Sequence, residues 1–398
     1  MSTLLLALRN QALLVLMMAH FTNDLFGGIL PMYLPVMKER FELSNAAIGF
    51  AILAYSGMSS LSQPLFGYFS DRRGRRWYLA ATLVWSAGFI ALYGFAPNYP
   101  VFLLLAGLAG IGSGAFHPIG ASTVAQVTDD RHRNGSMSLY TVGGTIGWGI
   151  GPLVAVALLG GFGAGGSIFL IIPGLLIATL LYQRMGMVER LRQARATIGA
   201  AVSGERANWG LLARIVAVTM LRSWTFLSVL QFLPIWYDEL GYGPGFYGPL
   251  VTLIILAGSA GTLLGGIFAD RIGPRRVVVG SLALAILALM LFLGLPGPLA
   301  FVTGLLFGAL ADASLSVTLV MAQRLVPGRI GIASGVILGL GFVTGGIGVP
   351  ITGRLADAVG IQTALMSLGV VGALAVLLAL TLPSDQPKPA PAMLPATR

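Results

Sequence analysis

The chain has 398 residues, 56% hydrophobic and only 10% charged, with a net charge of +10 and no cysteine; its mean hydropathy is +0.86. A soluble domain carries charge on about a quarter of its residues, so a soluble globular protein is excluded, and the lack of cysteine excludes disulfides, thiol nucleophiles and iron–sulfur ligation. The 55 glycines sit inside apolar stretches without a three-residue period, which excludes collagen and a disordered chain.

Apolar stretches long enough to cross about 30 Å of hydrocarbon as helix recur from end to end. Turn and charge punctuation divides them into twelve predicted spans: 11–36, 46–69, 77–95, 101–127, 137–159, 166–187, 211–237, 247–269, 277–295, 299–323, 331–353 and 361–382. Span one carries His20-Phe21-Thr22-Asn23-Asp24, polar in a segment otherwise fit for lipid. Between spans two and three runs Gly67-Tyr-Phe-Ser-Asp71-Arg72-Arg73-Gly74-Arg75-Arg76, and span four contains Ala115-Phe116-His117-Pro118. In span five, Gly143, Gly147 and Gly151 form a smooth stripe for a neighbouring helix, and Pro152 introduces a bend. Residues 188–210 are Arg-rich and polar, a linker whose 189–195 stretch reads either as an amphipathic surface helix or as solvated chain. Span seven holds Arg222, and span ten holds Asp312. Gly266-Ile-Phe-Ala-Asp270-Arg271-Ile-Gly273-Pro-Arg275-Arg276 joins spans eight and nine, and span eleven carries Gly341-x3-Gly345-x4-Pro350. The tail 383–398, with five prolines, reads as a disordered extension.

Asp71 and Asp270 are 199 positions apart, while Arg131 with Arg329, and Gly143 with Gly341, are each 198 apart. A shared half-chain offset predicts two homologous halves, a six-helix bundle at 1–187 and another at 211–382, joined by the linker. Such halves rock about a site near the membrane midplane. Of 24 Lys and Arg, 20 fall at the N-terminus, in the even-to-odd connections and in the tail. That bias predicts cytoplasmic termini, and basic loops against anionic lipid account for the net charge without nucleic acid.

The pattern Gly-x3-Asp-Arg-x-Gly-Arg-Arg resembles the signature loop of the major facilitator superfamily. The resemblance implies an all-α membrane fold of two pseudo-symmetric six-helix bundles. It also implies a conformational latch made by Gly67, Asp71, Arg72, Gly74 and Arg75, repeated at Asp270, Arg271, Gly273 and Arg275. In that family the aspartate bonds the positive N-terminal end of a helix in the other half, which for Asp71 means the start of span eleven. The stripe Gly143, Gly147, Gly151 and Pro152 resembles the motif of antiporters among drug exporters. The strings at His20–Asp24 and Ala115–Pro118 look like the fosmidomycin-resistance type of exporter. The implied function is proton-coupled export of a small drug-like or anionic molecule through the cell inner membrane by a monomer. An importer, a uniporter or a lipid flippase of the same fold is the alternative.

Ionisable residues inside spans are costly and mark function. They are His20, Asp24, His117, Arg222 and Asp312, on spans one, four, seven and ten, which line the central cavity in the superfamily. Asp24 is the expected proton carrier, with Arg222, 198 positions away, as its expected partner; His117 and Asp312 form an expected second couple. Burial and a guanidinium act on the Asp24 charge in opposite directions, which makes it sensitive to conformation. Static ion pairs pinning the halves, and a purely packing His20, are competing readings. Asn23, Tyr33, Gln63, Gln126, Tyr140, Trp148, Trp224 and Gln231 are candidate substrate contacts, since pockets mix aromatic walls with a few directed polar groups. No metal is expected: two imidazoles and a carboxylate suit one chemically, but no ligand-spacing signature is present. The chain contains no Gly-x4-Gly-Lys loop, no His-Glu-x-x-His helix and no Gly-x-Ser-x-Gly elbow, so neither an ATP-driven pump nor an enzyme is expected, and no cofactor.

Overall fold

The computed structural model describes residues 10–43, 45–73, 77–128, 132–199, 207–242, 244–326 and 328–383. These residues are helical almost throughout. In chain order the helices are α1 (Gln11–Phe41), α2 (Asn45–Arg73), α3 (Tyr78–Ala91), α4 (Tyr99–Val127), α5 (Arg133–Phe162), α6 (Ile171–Gly199), α7 (Trp209–Glu239), α8 (Pro244–Ile272), α9 (Pro274–Gly294), α10 (Ala300–Asp312), α11 (Leu315–Arg324), α12 (Ile330–Val359) and α13 (Ile361–Ala379). α10 and α11 are two pieces of one span, broken at Ala313–Ser314. Among the described residues ten segments are long and apolar enough to cross a membrane, counting that pair as one. α2, with 29 residues, and α12, with 30, also have the length, since 1.5 Å per residue gives each about 43–45 Å.

Local chemistry explains where helices start and stop. The Asn98 side chain accepts from the Val101 amide at 3.0 Å to cap α4. Gly273, at φ 99°, makes the sharp turn between α8 and α9, a left-handed conformation that favours glycine. α6 continues to Gly199, so much of the expected linker is helix, while 200–206 and 384–398 lie outside the described residues.

Lipid supplies no hydrophobic force between helices, so close approach through small residues holds them. α1 and α5 run side by side in this way. A side chain at Gly143 would meet the Met17 carbonyl at 2.7 Å, one at Gly151 would meet that of Leu25 at 2.6 Å, and Gly147 lies directly against Phe21. The Pro152 and Gly345 side-chain positions lie outside the described residues. In the later helices Gly261 and Gly265 of α8 lie against Ala309 and Ala313 in the same manner.

Two seams join α1–α6 to α7–α13. α12 lies along α2, with Gly331 against Gly67 and Gly339 against the Ser60 carbonyl; α5 lies along α8, with Gly266 against Ser138. Both seams run to the end of the molecule that carries the arginine-rich loops, here called the basic end.

Candidate functional site

One turn of α1 sets His20 and Asp24 on the same face. His20 Nδ1 lies 2.9 Å from the Tyr140 carbonyl oxygen, and its ring stacks on that of Tyr140 at 4.2 Å between centroids. A carbonyl only accepts, so Nδ1 carries the hydrogen. The other nitrogen, Nε2, stands 3.2 Å from Asp24 Oδ2. A proton on either atom would make that contact a hydrogen bond, since a bare imidazole nitrogen and a carboxylate oxygen both only accept. Asp24 Oδ1 accepts from Asn23 Nδ2 at 2.9 Å and faces His117 Nε2 of α4 at 3.6 Å. Asn23 Nδ2 is also 3.3 Å from Ser113 Oγ.

The backbone makes room for this cluster. A side chain at Gly144 would begin 2.5 Å from both Asp24 Oδ2 and His20 Nε2. The nitrogen and oxygen atoms of His20, Asp24 and His117 that could bind a cation lie within 4.8 Å of one another, close enough for one small ion.

The expected Asp24–Arg222 and His117–Asp312 couples are corrected by the structure. Arg222 Nη1 meets Asp312 Oδ1 at 2.5 Å, its Nη2 donates to Ser223 Oγ at 3.1 Å, and Asp24 faces the two histidines instead. The repeat itself gives the reason. Residues at equal positions in two halves sit on opposite sides of the pseudo-symmetry axis, and each turns toward its own half. The contact between Asp24 on α1 and His117 on α4 therefore recurs as that between Arg222 on α7 and Asp312 on α10. Gly258 leaves space for Asp312, since a side chain there would begin 2.7 Å from its Oδ2. Asp312 ends α10, and its carbonyl accepts from Thr262 Oγ1 at 3.0 Å. Arg222 Nε is buried without a partner among the described residues, beside a small cavity whose lining includes Thr219, Ser223, Thr318 and Gly341.

At the basic end each aspartate of the duplicated loops reaches a helix start across a seam. Asp71 accepts from the Gly331 amide at 2.8 Å and the Ile332 amide at 2.9 Å, at the first turn of α12. Asp270 accepts from the Asn134 amide at 3.2 Å, the Asn134 side chain at 2.7 Å and the Gly135 amide at 2.9 Å, at the first turn of α5. The first amides of a helix lack intrahelical partners and carry its positive dipole end, so a carboxylate fits there. Arg72 lies over the Tyr68 ring at 4.5 Å, Arg275 Nη2 donates to the Leu380 carbonyl at 2.5 Å, and Arg271 is exposed. Gly74 and Arg75 lie outside the described residues.

Of the candidate substrate contacts, Asn23 and Tyr140 join the His20–Asp24 cluster. Trp148 is half exposed and packs one turn further along, 2.8 Å from where a Gly27 side chain would begin. Trp224 Nε1 donates to Thr352 Oγ1 at 3.0 Å. Tyr33, Gln126 and Gln231 each lie nine residues beyond Asp24, His117 and Arg222 respectively, about 13 Å along their helices. Tyr33 packs in the core against Tyr93, and Gln63 is buried at the α2–α12 seam. Gly144, Ser113, Ser138 and Ser316 escaped the sequence reading. Gly144 was marked only by its place beside Gly143, and the serines carry no signal in sequence.

The sequence matches the Major Facilitator Superfamily profile over residues 16–249 and again over 215–396. It is 31% identical over 388 residues to an uncharacterized MFS-type transporter, YfnC, of Bacillus subtilis, covering 94% of this chain and 93% of that protein. It is 28% identical over 353 residues to the fosmidomycin resistance protein of Escherichia coli, covering 87% and 86%. Among solved structures, the human organic anion transporter MFSD10 (TETRAN) superposes with a TM-score of 0.75 at 18% identity, covering 92% of this chain and 98% of that one.

Proposed function

Because the chain belongs to the Major Facilitator Superfamily, and is a multi-pass membrane transporter rather than an enzyme, we propose that it exports a small organic molecule in exchange for protons. The observation that carries this reading is the His20–Asp24 contact. With Nδ1 committed to the Tyr140 carbonyl, the 3.2 Å approach of Nε2 to Asp24 Oδ2 needs one proton. A site that is stable only when loaded is what a proton-driven cycle requires. His117 Nε2, 3.6 Å from Asp24 Oδ1, is the second acceptor through which that proton exchanges.

In this reading the basic end faces the cytoplasm, as do both termini, and the protein sits in the inner membrane as a monomer. The halves are 1–187 and 211–382, joined through 188–210. The seams and the Asp71 and Asp270 latches then describe a state closed to the cytoplasm, in which Asp24 takes its proton from outside. Substrate enters from the cytoplasm after the latches open and leaves outward when the proton returns. Trp148 and Asn23 supply apolar surface and one polar contact beside the proton site, and Trp224 supplies apolar surface on α7. The efflux direction is supported by the likeness to the fosmidomycin resistance protein. Arg222 supports an anionic group on the substrate, because its Nε has no partner among the described residues.

The test is proton movement in proteoliposomes on adding fosmidomycin and a panel of small organic anions and cations, for wild type and Asp24→Asn. Substrate-driven proton flux in wild type that is lost in Asp24→Asn supports exchange. Substrate movement without proton flux, unchanged in the variant, overturns it in favour of a uniporter or flippase.

A further inference from the structure

We propose that His20, Asp24 and His117 form a binding site for one divalent transition-metal ion of the zinc, cobalt and nickel class. The inference uses the atoms of the proton site but does not rest on proton exchange, because ion binding is measured without transport.

Two imidazole nitrogens and a carboxylate are a donor set suited to such ions. Ligand atoms about 2.1 Å from a tetrahedrally coordinated ion lie about 3.4 Å from one another. His20 Nε2 is 3.2 Å from Asp24 Oδ2, and His117 Nε2 is 3.6 Å from Asp24 Oδ1, on either side of that separation. The carboxylate offers one oxygen to each ring, and the two rings stand edge to face with 5.3 Å between centroids. One ligand atom from each residue lies within 4.8 Å of the others, so one ion reaches all three with a small inward rotation of the side chains. The ligands come from α1 and α4, so no spacing in the sequence announces them.

The surroundings point the same way. A metal-binding histidine typically donates its other ring N–H to a carbonyl or carboxylate, which aims the free nitrogen at the ion. His20 Nδ1 makes that bond to the Tyr140 carbonyl at 2.9 Å. A bare Nε2 and Asp24 Oδ2 both only accept, and a cation between them satisfies both. Ligating carboxylates are in turn hydrogen-bonded, and Asn23 Nδ2 donates to Asp24 Oδ1 at 2.9 Å. Asn23 is fully buried, and its own Oδ1 has no partner among the described residues, so a further oxygen stands beside the ligand set. A side chain at Gly144 would begin 2.5 Å from both Asp24 Oδ2 and His20 Nε2, so the glycine keeps the space beside those two atoms clear. Arg222 is held by Asp312, which leaves the Asp24 charge for the ion.

One face of the set is open. The His20 side chain is 8% exposed, whereas those of Asp24 and His117 keep 17% and 19% of their surface exposed. Three protein ligands with an open side is the arrangement in which a fourth position takes water or a substrate group.

Composition makes the test direct, since the chain has no cysteine and only one further histidine, His132. Purified protein without a histidine tag is dialysed against Zn²⁺ or Co²⁺ at fixed pH, and bound metal is measured against protein. We expect one ion per chain, with the intense visible absorption of four-coordinate Co²⁺. Loss of a residue that merely supports a metal ligand costs about 10–100-fold in affinity, so loss of a ligand should cost about 100-fold or more. Asp24→Asn and His117→Gln should each weaken Zn²⁺ binding by that factor, while His132→Gln leaves it unchanged. Wild type that retains no metal overturns the site, and this reading needs no variant to fold. Binding that survives both Asp24→Asn and His117→Gln, or is lost in His132→Gln, overturns it as well. In proteoliposomes Zn²⁺ should inhibit substrate-driven proton flux, because it occupies the atoms assigned to the proton, and a chelator should restore the flux. Flux that persists with the ion bound overturns that assignment of the proton. Absent flux in wild type overturns the exchange reading, and dialysis still decides the metal site.

Discussion

His20 Nε2 stands 3.2 Å from Asp24 Oδ2 while the opposite ring nitrogen is committed to the Tyr140 carbonyl. The carbonyl accepts from Nδ1, which leaves Nε2 as the ring nitrogen that faces the carboxylate. Tyr140 serves this arrangement through its backbone and its ring face; its hydroxyl is buried without a partner among the described residues. Tyr140→Phe should therefore leave proton-coupled transport within about twofold of wild type, whereas His20→Gln should reduce it by about 10–100-fold. Initial rates in proteoliposomes under an imposed pH gradient measure both.

Gly144 should tolerate no side chain. An alanine methyl would start 2.5 Å from both Asp24 Oδ2 and His20 Nε2, so the pair must separate. We expect Gly144→Ala to lower proton-coupled transport by about tenfold or more, a barrier change of about 1.4 kcal/mol. Gly149→Ala, five residues along the same helix and facing open space, should be silent in the same assay.

The buried Arg222–Asp312 pair predicts a non-additive stability pattern. Removing one partner strands the other charge, at a cost of about 3–5 kcal/mol, while replacing both with apolar residues is close to neutral. Arg222→Leu and Asp312→Leu should each lower the melting temperature in detergent, and the double variant should recover most of the loss. Equal losses that add in the double variant would contradict an ion pair.

Asp71→Asn and Asp270→Asn should each loosen the basic end. A carboxylate on two helix amides contributes about 1–2 kcal/mol more than a neutral amide in the same place, so each change should raise the population open at that end by about tenfold. Alkylation of Ser60→Cys, at the α2–α12 seam beside Gly339, reads that population. Asp71 and Asp270 have separate partners, so their effects should add in the double variant. No acceleration in either single variant would show that the seams close without them.

The spans, their number and the duplicated loops are legible in the chain because burial in lipid acts on each helix separately. A segment of about 20 apolar residues, or a loop of four arginines, declares itself without reference to any neighbour. The five ionisable residues inside spans are found for the same reason, since lipid alone makes each one costly. Membership of the Major Facilitator Superfamily follows from such local features. Who touches whom is a different kind of fact. The offset of 198 between Asp24 and Arg222 suggested a couple, yet pseudo-symmetry sets equivalent residues apart, and Arg222 went to Asp312. Gly144, Ser138 and Ser316 are ordinary residues of a glycine-rich, serine-bearing chain. They matter because α1, α5 and α11 approach so closely that a missing methyl or a single hydroxyl decides the contact. Partition into the membrane is a property of composition, legible in the sequence alone, whereas the His20–Asp24 contact, the Arg222–Asp312 ion pair and the Ser138–Ser316 contact are properties of helix packing at sub-ångström tolerance, which only the tertiary structure decides.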